Sequence, residues 1–185
     1  MEVRKLTTVK TSLLIAVILI LVGVMLRLVP HVPNFAPIGA IALFGGAVLG
    51  KRIALWLPLV AMLISDSIIG FYGGIEFTWL GFLLIAVFGM ALSKKGFFAR
   101  VTLGAIGTGV IFFAVSNFGV WLTSGMYTHT LTGFVQCYYM ALPFYRMTFL
   151  SDMFYSAAIF GVYEAAMYYV RKPTVDIYLP VPSFR

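Results

Sequence analysis

The sequence predicts an all-α bundle of six transmembrane helices, one integral-membrane domain over residues 1–185 with both termini cytoplasmic. Three observations carry that prediction. Hydrophobic residues make up 62% of the chain and charged ones 10%, where a soluble domain carries about 25% charged residues. Apolar runs recur along the whole chain, separated by short polar breaks. The cations stand at the ends of those runs, as the positive-inside rule places them, and not in the groove a nucleic-acid partner would need. The lipid bilayer is the expected partner, and nucleic acid is not.

The first span, 11–29, follows a basic stretch but exceeds the ~7–15 residues of a signal-peptide core. The run "LVPHVPNFA" offers no small-x-small cleavage site, so the span is retained. The second, 37–50, is short: fourteen residues where an untilted crossing needs ~20. Ala42, Gly46 and Gly50 recur every four residues and give it one smooth face. Such faces let backbones approach closely in lipid, so this helix is expected inside the bundle, with Gly46→Leu more damaging than Leu43→Ala. Irregular backbone from Pro30 to Ala36 leads into it, tolerated at depth only against protein or a water-filled cavity. Asn34 then either caps the short helix or points into that cavity, whose floor the helix forms. Spans 53–71, 78–92, 101–122 and 149–170 follow. Ala105 and Gly109, then Ala157, Gly161 and Ala165, repeat the small-residue device; inside the chain such faces would tighten the bundle, the commoner use, and on its rim they would dock a membrane-protein partner.

Alternating these spans places eleven of the thirteen cations on one side, leaving Arg27 and Arg146 toward the other. By the positive-inside rule the cation-rich side is cytoplasmic. A seventh crossing in the long outer segment 123–146 would put Arg171 and Lys172 outside. That segment, with Pro143 and several tyrosines, is expected to form a short interfacial or re-entrant helix.

Ionisable groups within spans are costly and are functional candidates. At about 1.5 Å per residue, Arg27 and Asn117 lie roughly 24 Å and Asp66 roughly 20 Å from the inner face. Asp152 opens the last, descending span, while His31, Asn34, Glu76, His129 and Arg146 sit in outer loops. Only Glu164 is near the inner face, with Arg171 in reach. The helical spacings Phe113–Asn117–Trp121 and Asp152–Tyr155–Ser156 add an aromatic wall. Polar groups converging on an aromatic-lined outer cavity describe a small-molecule site, with Asn34, Asp66, Asn117, Trp121, Tyr127, Arg146 and Asp152 as candidate binding residues. The competing reading pairs Arg27 with Asp66 and Arg146 with Asp152 to fasten helix tops. No nucleophile–base set, phosphate loop or zinc motif is visible, and Cys137 stands alone. The methionines, histidines and Cys137 of the outer side read as packing. Neither enzymatic activity, a cofactor nor a metal is expected.

The stretches "PNFAPIGAIALFGGAVLGKR", "LVAMLISDSIIGF", "VSNFGVWL", "MYTHTLTGFVQCYYMALPF" and "LSDMFYSAAIFG" resemble a family of small, uncharacterised bacterial integral-membrane proteins over nearly all of 30–164. That resemblance implies the bacterial cytoplasmic membrane and brings no activity. More remotely, six spans, cytoplasmic termini and an outer site are similar to the substrate-binding S component of energy-coupling factor vitamin transporters. The first span "AVILILVGVMLRL" departs from that pattern, lacking the Ala-x-x-x-Ala docking signature. Together these features lead us to expect binding or transport of a small water-soluble nutrient loaded from outside. The alternative is a ligand-free accessory subunit of a larger membrane complex.

Overall fold

The structure, a computed structural model, describes residues 2–171 and the side chains of residues 10–170. Of the cations used for orientation, Lys172 and Arg185 lie outside the described residues, and Arg4, Lys5 and Arg171 outside the described side chains. All regular structure among the described residues is helical: α1 Glu2–Leu28, α2 Ile38–Phe44 running into a π-helical turn Gly45–Leu49, α3 Lys51–Ile69, α4 Ile75–Ala91, α5 Phe97–Thr123 and α6 Leu131–Arg171. Three of them, α1 from Lys10, α3 and α5, are long and apolar enough to cross a membrane. The stretches Ile38–Leu49 and Ile75–Ala91 are apolar but shorter. Large apolar side chains cover the outside; only 17% of the most apolar window of α1 is buried.

The short helix is internal. Every residue from Pro37 to Ala47 is buried, and α3, α4, α5 and α6 all pack against α2. Two glycines explain how the backbones come so close. A Cβ at Gly46 would fall on the carbonyl oxygen of Ala86 and 2.9 Å from the Met90 nitrogen. A Cβ at Gly89 of α4 would fall on the Leu43 carbonyl and 3.2 Å from the Ala47 nitrogen. The contact is reciprocal, backbone on backbone, and neither glycine leaves room for a methyl group. Gly50, at φ 85°, ends the π turn in a conformation that only glycine adopts freely and redirects the chain into α3. Around this axis Phe44 meets Phe160 edge-on at 5.2 Å and Tyr163 at 5.3 Å, closing the core toward α6.

Two expectations are corrected. The segment 123–146 does not hold a separate re-entrant or interfacial helix: from Leu131 it is continuous with the apolar stretch 149–170 in one helix of 41 residues. At about 1.5 Å per residue that helix is ~60 Å long, twice a hydrocarbon core. Pro143 lies inside it and removes one backbone donor, which the largely exposed N-terminal half of α6 accommodates. The second correction concerns the last span's small residues. Ala157 and Ala165 are exposed, and nothing lies within 4 Å of a Cβ at Gly161, so this face points out of the bundle and tightens nothing within it. Glu164 pairs with Arg100 at 3.2 Å.

Candidate functional site

The end of α1, the start of α2 and the facing sides of α5 and α6 leave a cavity of about 680 Å³ between them. Helical spacing decides what lines it. Thr108, Phe112 and Ser116 follow one another at i, i+4, i+8 along one face of α5, and Thr148, Ser151 and Asp152 at i, i+3, i+4 on α6. Ile38 and Gly39 form the floor, and the segment after α1 brings His31, Asn34 and Ala36 to the rim. Ser151 Oγ donates to the Ala36 carbonyl at 3.0 Å, tying that segment to α6. The Phe35 ring packs against Tyr155 at 5.6 Å and fastens it further.

Arg27, in the last turn of α1, lines one side of the cavity. Its Nη1 forms an ion pair with Asp66 Oδ1 without hydrogen-bond geometry, and donates instead to Ser65 Oγ. Ser65 in turn donates to the Ala61 carbonyl at 2.8 Å. Trp79 of α4 donates Nε1 to Asp66 Oδ2 at 2.8 Å. Asp66 is fully buried and stands behind Arg27, outside the cavity lining. Asp66, expected as a binding residue, thus forms the ion pair of the competing reading, which clamps α1, α3 and α4 together.

Asp152 has no such support. It is 3% exposed, Oδ2 has no hydrogen-bond partner, and the ion pairs among the described residues do not include it. Arg146 is exposed and lines neither this cavity nor its neighbour, so the pairing of Arg146 with Asp152 does not form. Six residues separate them on one helix, which turns them about 120° away from a shared face (~100° per residue). Beside Asp152, Thr108 is buried with Oγ1 unpartnered. Gly39 makes space for both: a Cβ there would meet Asp152 Oδ1 and, at 2.8 Å, Thr108 Cγ2.

A second, smaller cavity of about 280 Å³ adjoins the first and shares Asn34, Phe112, Ser116 and Thr148 with it. Asn117 and Tyr127 line it, together with Cys137. Asn117 donates Nδ2 to the Phe113 carbonyl of its own helix at 2.8 Å. Burial pushes the Cys137 thiol up from its ordinary value. Trp121 lines neither cavity; its Nε1 donates to the Thr128 carbonyl at 3.0 Å and its ring meets Phe134 at 5.4 Å, pinning the 124–130 segment to α5. Asn34 does not cap α2, whose N-cap is Pro37 without a side-chain bond. It sits at φ 62°, a left-handed conformation that Asn tolerates, and lies in the lining of both cavities.

Of the seven candidate residues, Asn34 and Asp152 meet at the large cavity, Asn34, Asn117 and Tyr127 at the small one. Asp66, Trp121 and Arg146 stand apart from both. Sequence reasoning missed Thr108, Ser116, Thr148 and Ser151, since single hydroxyls in apolar helices carry no charge signal and commonly bond a carbonyl of their own helix, as Ser116 and Thr148 do here. The i, i+4 repeat of Thr108, Phe112 and Ser116 was the available clue. Among the described residues no three His, Cys, Asp or Glu side chains gather as a metal site.

Neither a curated protein nor a solved structure, of an S component or any other protein, matches the chain. A family model described as a family of unknown function (DUF6580) matches residues 7–175, and the chain belongs to that family.

Proposed function

We propose that this chain is a six-span protein of the bacterial cytoplasmic membrane, with cytoplasmic termini, that binds a small water-soluble nutrient in a cavity open to the outer side. The S components of vitamin transporters offer the analogy, and it is one of architecture alone. One observation carries the reading: a cavity of about 680 Å³ whose lining includes a buried acidic side chain, Asp152, in no ion pair and with Oδ2 unpartnered, and a buried hydroxyl, Thr108, without a protein partner. A bundle whose polar groups served only to fasten helices would satisfy them, because an unpaired buried polar group costs about 1–3 kcal/mol and a charge more. The Arg27–Asp66 pair is such a fastening; Asp152 is its opposite. No enzymatic activity is part of the proposal.

The second reading, a ligand-free accessory subunit, is favoured by the outward face of Ala157, Gly161 and Ala165, a surface suited to close helix docking. Native mass spectrometry of gently solubilised protein separates the two. A retained small molecule is the expected result. A stoichiometric protein partner, with no small molecule on either species, would favour the accessory subunit.

A further inference from the structure

Charge accounting around the cavity narrows what it can hold. The ionisable side chains in its lining are Arg27, His31, Tyr72 and Asp152. Arg27 is already balanced by Asp66, with which it pairs directly. His31 turns Nδ1 onto the carbonyl of Val29 at 2.7 Å. The one acidic side chain of the lining is thus Asp152, 3% exposed and in neither ion pair of the described residues. Its Oδ1 occupies the notch left by Gly39, and its Oδ2 has no partner in the protein. Thr108, of the same lining, also has its Oγ1 buried without a partner. Phe82 and Phe112, which stack at 4.9 Å, and Tyr72 contribute aromatic surface to the same lining.

A lone buried carboxylate attracts a positive charge far more strongly than it would in water, because little solvent screens it. Aromatic faces add attraction for the same sign of charge. Resting on the binding reading above, we propose that the cavity selects a small organic cation: an ammonium or protonated ring nitrogen pairs with the Asp152 carboxylate, while the apolar body lies against Phe82 and Phe112. A carboxylate ligand is rejected, since it would face Asp152 and find Arg27 already neutralised. The choice of an organic rather than an inorganic cation follows from the volume. About 680 Å³ is within the range of small-molecule sites, and a bare metal ion would leave most of it unfilled.

Three probes of nearly the same shape test the charge rule: benzylammonium, benzyl alcohol and benzoate. Each is titrated by isothermal calorimetry against the full chain in nanodiscs of zwitterionic lipid, at constant ionic strength. Benzylammonium is expected to bind at least tenfold more tightly than the other two. Asp152→Asn is expected to remove that preference and Asp152→Glu to keep it; should either variant fail to fold, the ranking in the unaltered protein decides alone. Equal binding of all three, or preference for benzoate, overturns the cation assignment while leaving a small-molecule site in place. The same holds for an Asp152-dependent response to sodium ions without one to benzylammonium. Failure of every probe, charged or neutral, overturns the cation assignment, and combined with no retained molecule in native mass spectrometry it overturns the binding reading as well.

Discussion

Adding one methyl group at Gly46 should loosen the whole bundle, and the same addition at Gly161 should not. A Cβ at Gly46 lies 2.9 Å from the Met90 nitrogen and 3.0 Å from the Ala86 carbonyl carbon, with the Ala86 oxygen closer still. Against a contact optimum of about 3.5 Å, half an ångström or more must be recovered. The obstructing atoms are backbone, so no rotamer change relieves them; α4 and the central α2 segment must separate. Overpacking of this kind costs about 1–3 kcal/mol, and rigid backbone puts it at the upper end. The helix-propensity gain of Ala over Gly returns about 1 kcal/mol, leaving a net loss of about 2 kcal/mol. For a chain of this size that corresponds to a melting temperature about 4–8 °C lower. At Gly161 nothing lies within 4 Å, so the propensity gain stands alone and melting should hold or rise by a few degrees. Intrinsic fluorescence melting of both variants in one detergent reads the difference. Equal melting temperatures would refute the claim that α2 and α4 meet backbone to backbone.

The two ion pairs of the described residues should behave differently. Asp66→Ala strands Arg27 and leaves Trp79 without its acceptor, a loss of about 3–5 kcal/mol by analogy with broken buried pairs, read as a sharp fall in melting temperature. Glu164, whose side chain is 44% exposed in its pair with Arg100, should cost less than about 1 kcal/mol when changed to Gln. Asn117→Ala removes a bond within its own helix, and Asn117 lines only the smaller cavity, so neither melting nor retention of a molecule in native mass spectra should change much. Fusion reporters should place both termini in the cytoplasm and Tyr127 outside; an odd number of crossings would reverse one end.

Helical class and the burial of the short glycine segment were legible because both depend on local pattern: apolar run length, and small residues every fourth position. The 41-residue α6 was not. Pro143 and the polar residues of "LTGFVQCYYMALPF" mark a break by composition, yet a helix outside the densest packing accommodates one proline. Leu43→Ala was expected to do far less damage than Gly46→Leu; Leu43 is fully buried and its side chain fills the space left by Gly104, so its truncation still opens a cavity worth about 2–5 kcal/mol. Depth estimates from helix rise brought Arg27 and Asp66 to one level, and they pair. They could not tell which carboxylate would find a partner. Asp66 and Asp152 look alike in sequence, each following a serine in an apolar run. Their difference lies in the neighbours: Trp79 and Arg27 reach the first, while Gly39 and an unpartnered threonine surround the second.

The central claim, a water-filled site open to the outer side, is tested most directly by thiol labelling in intact cells. Thr148 lines both cavities, and Ala157 is exposed on the outer surface of the same helix, where lipid would suppress the reactive thiolate. In a Cys137→Ala background, Thr148→Cys should react with a small, charged, membrane-impermeant thiol reagent added outside, and Ala157→Cys should not. Labelling of Thr148→Cys only after the cells are permeabilised, or not at all, would contradict the account.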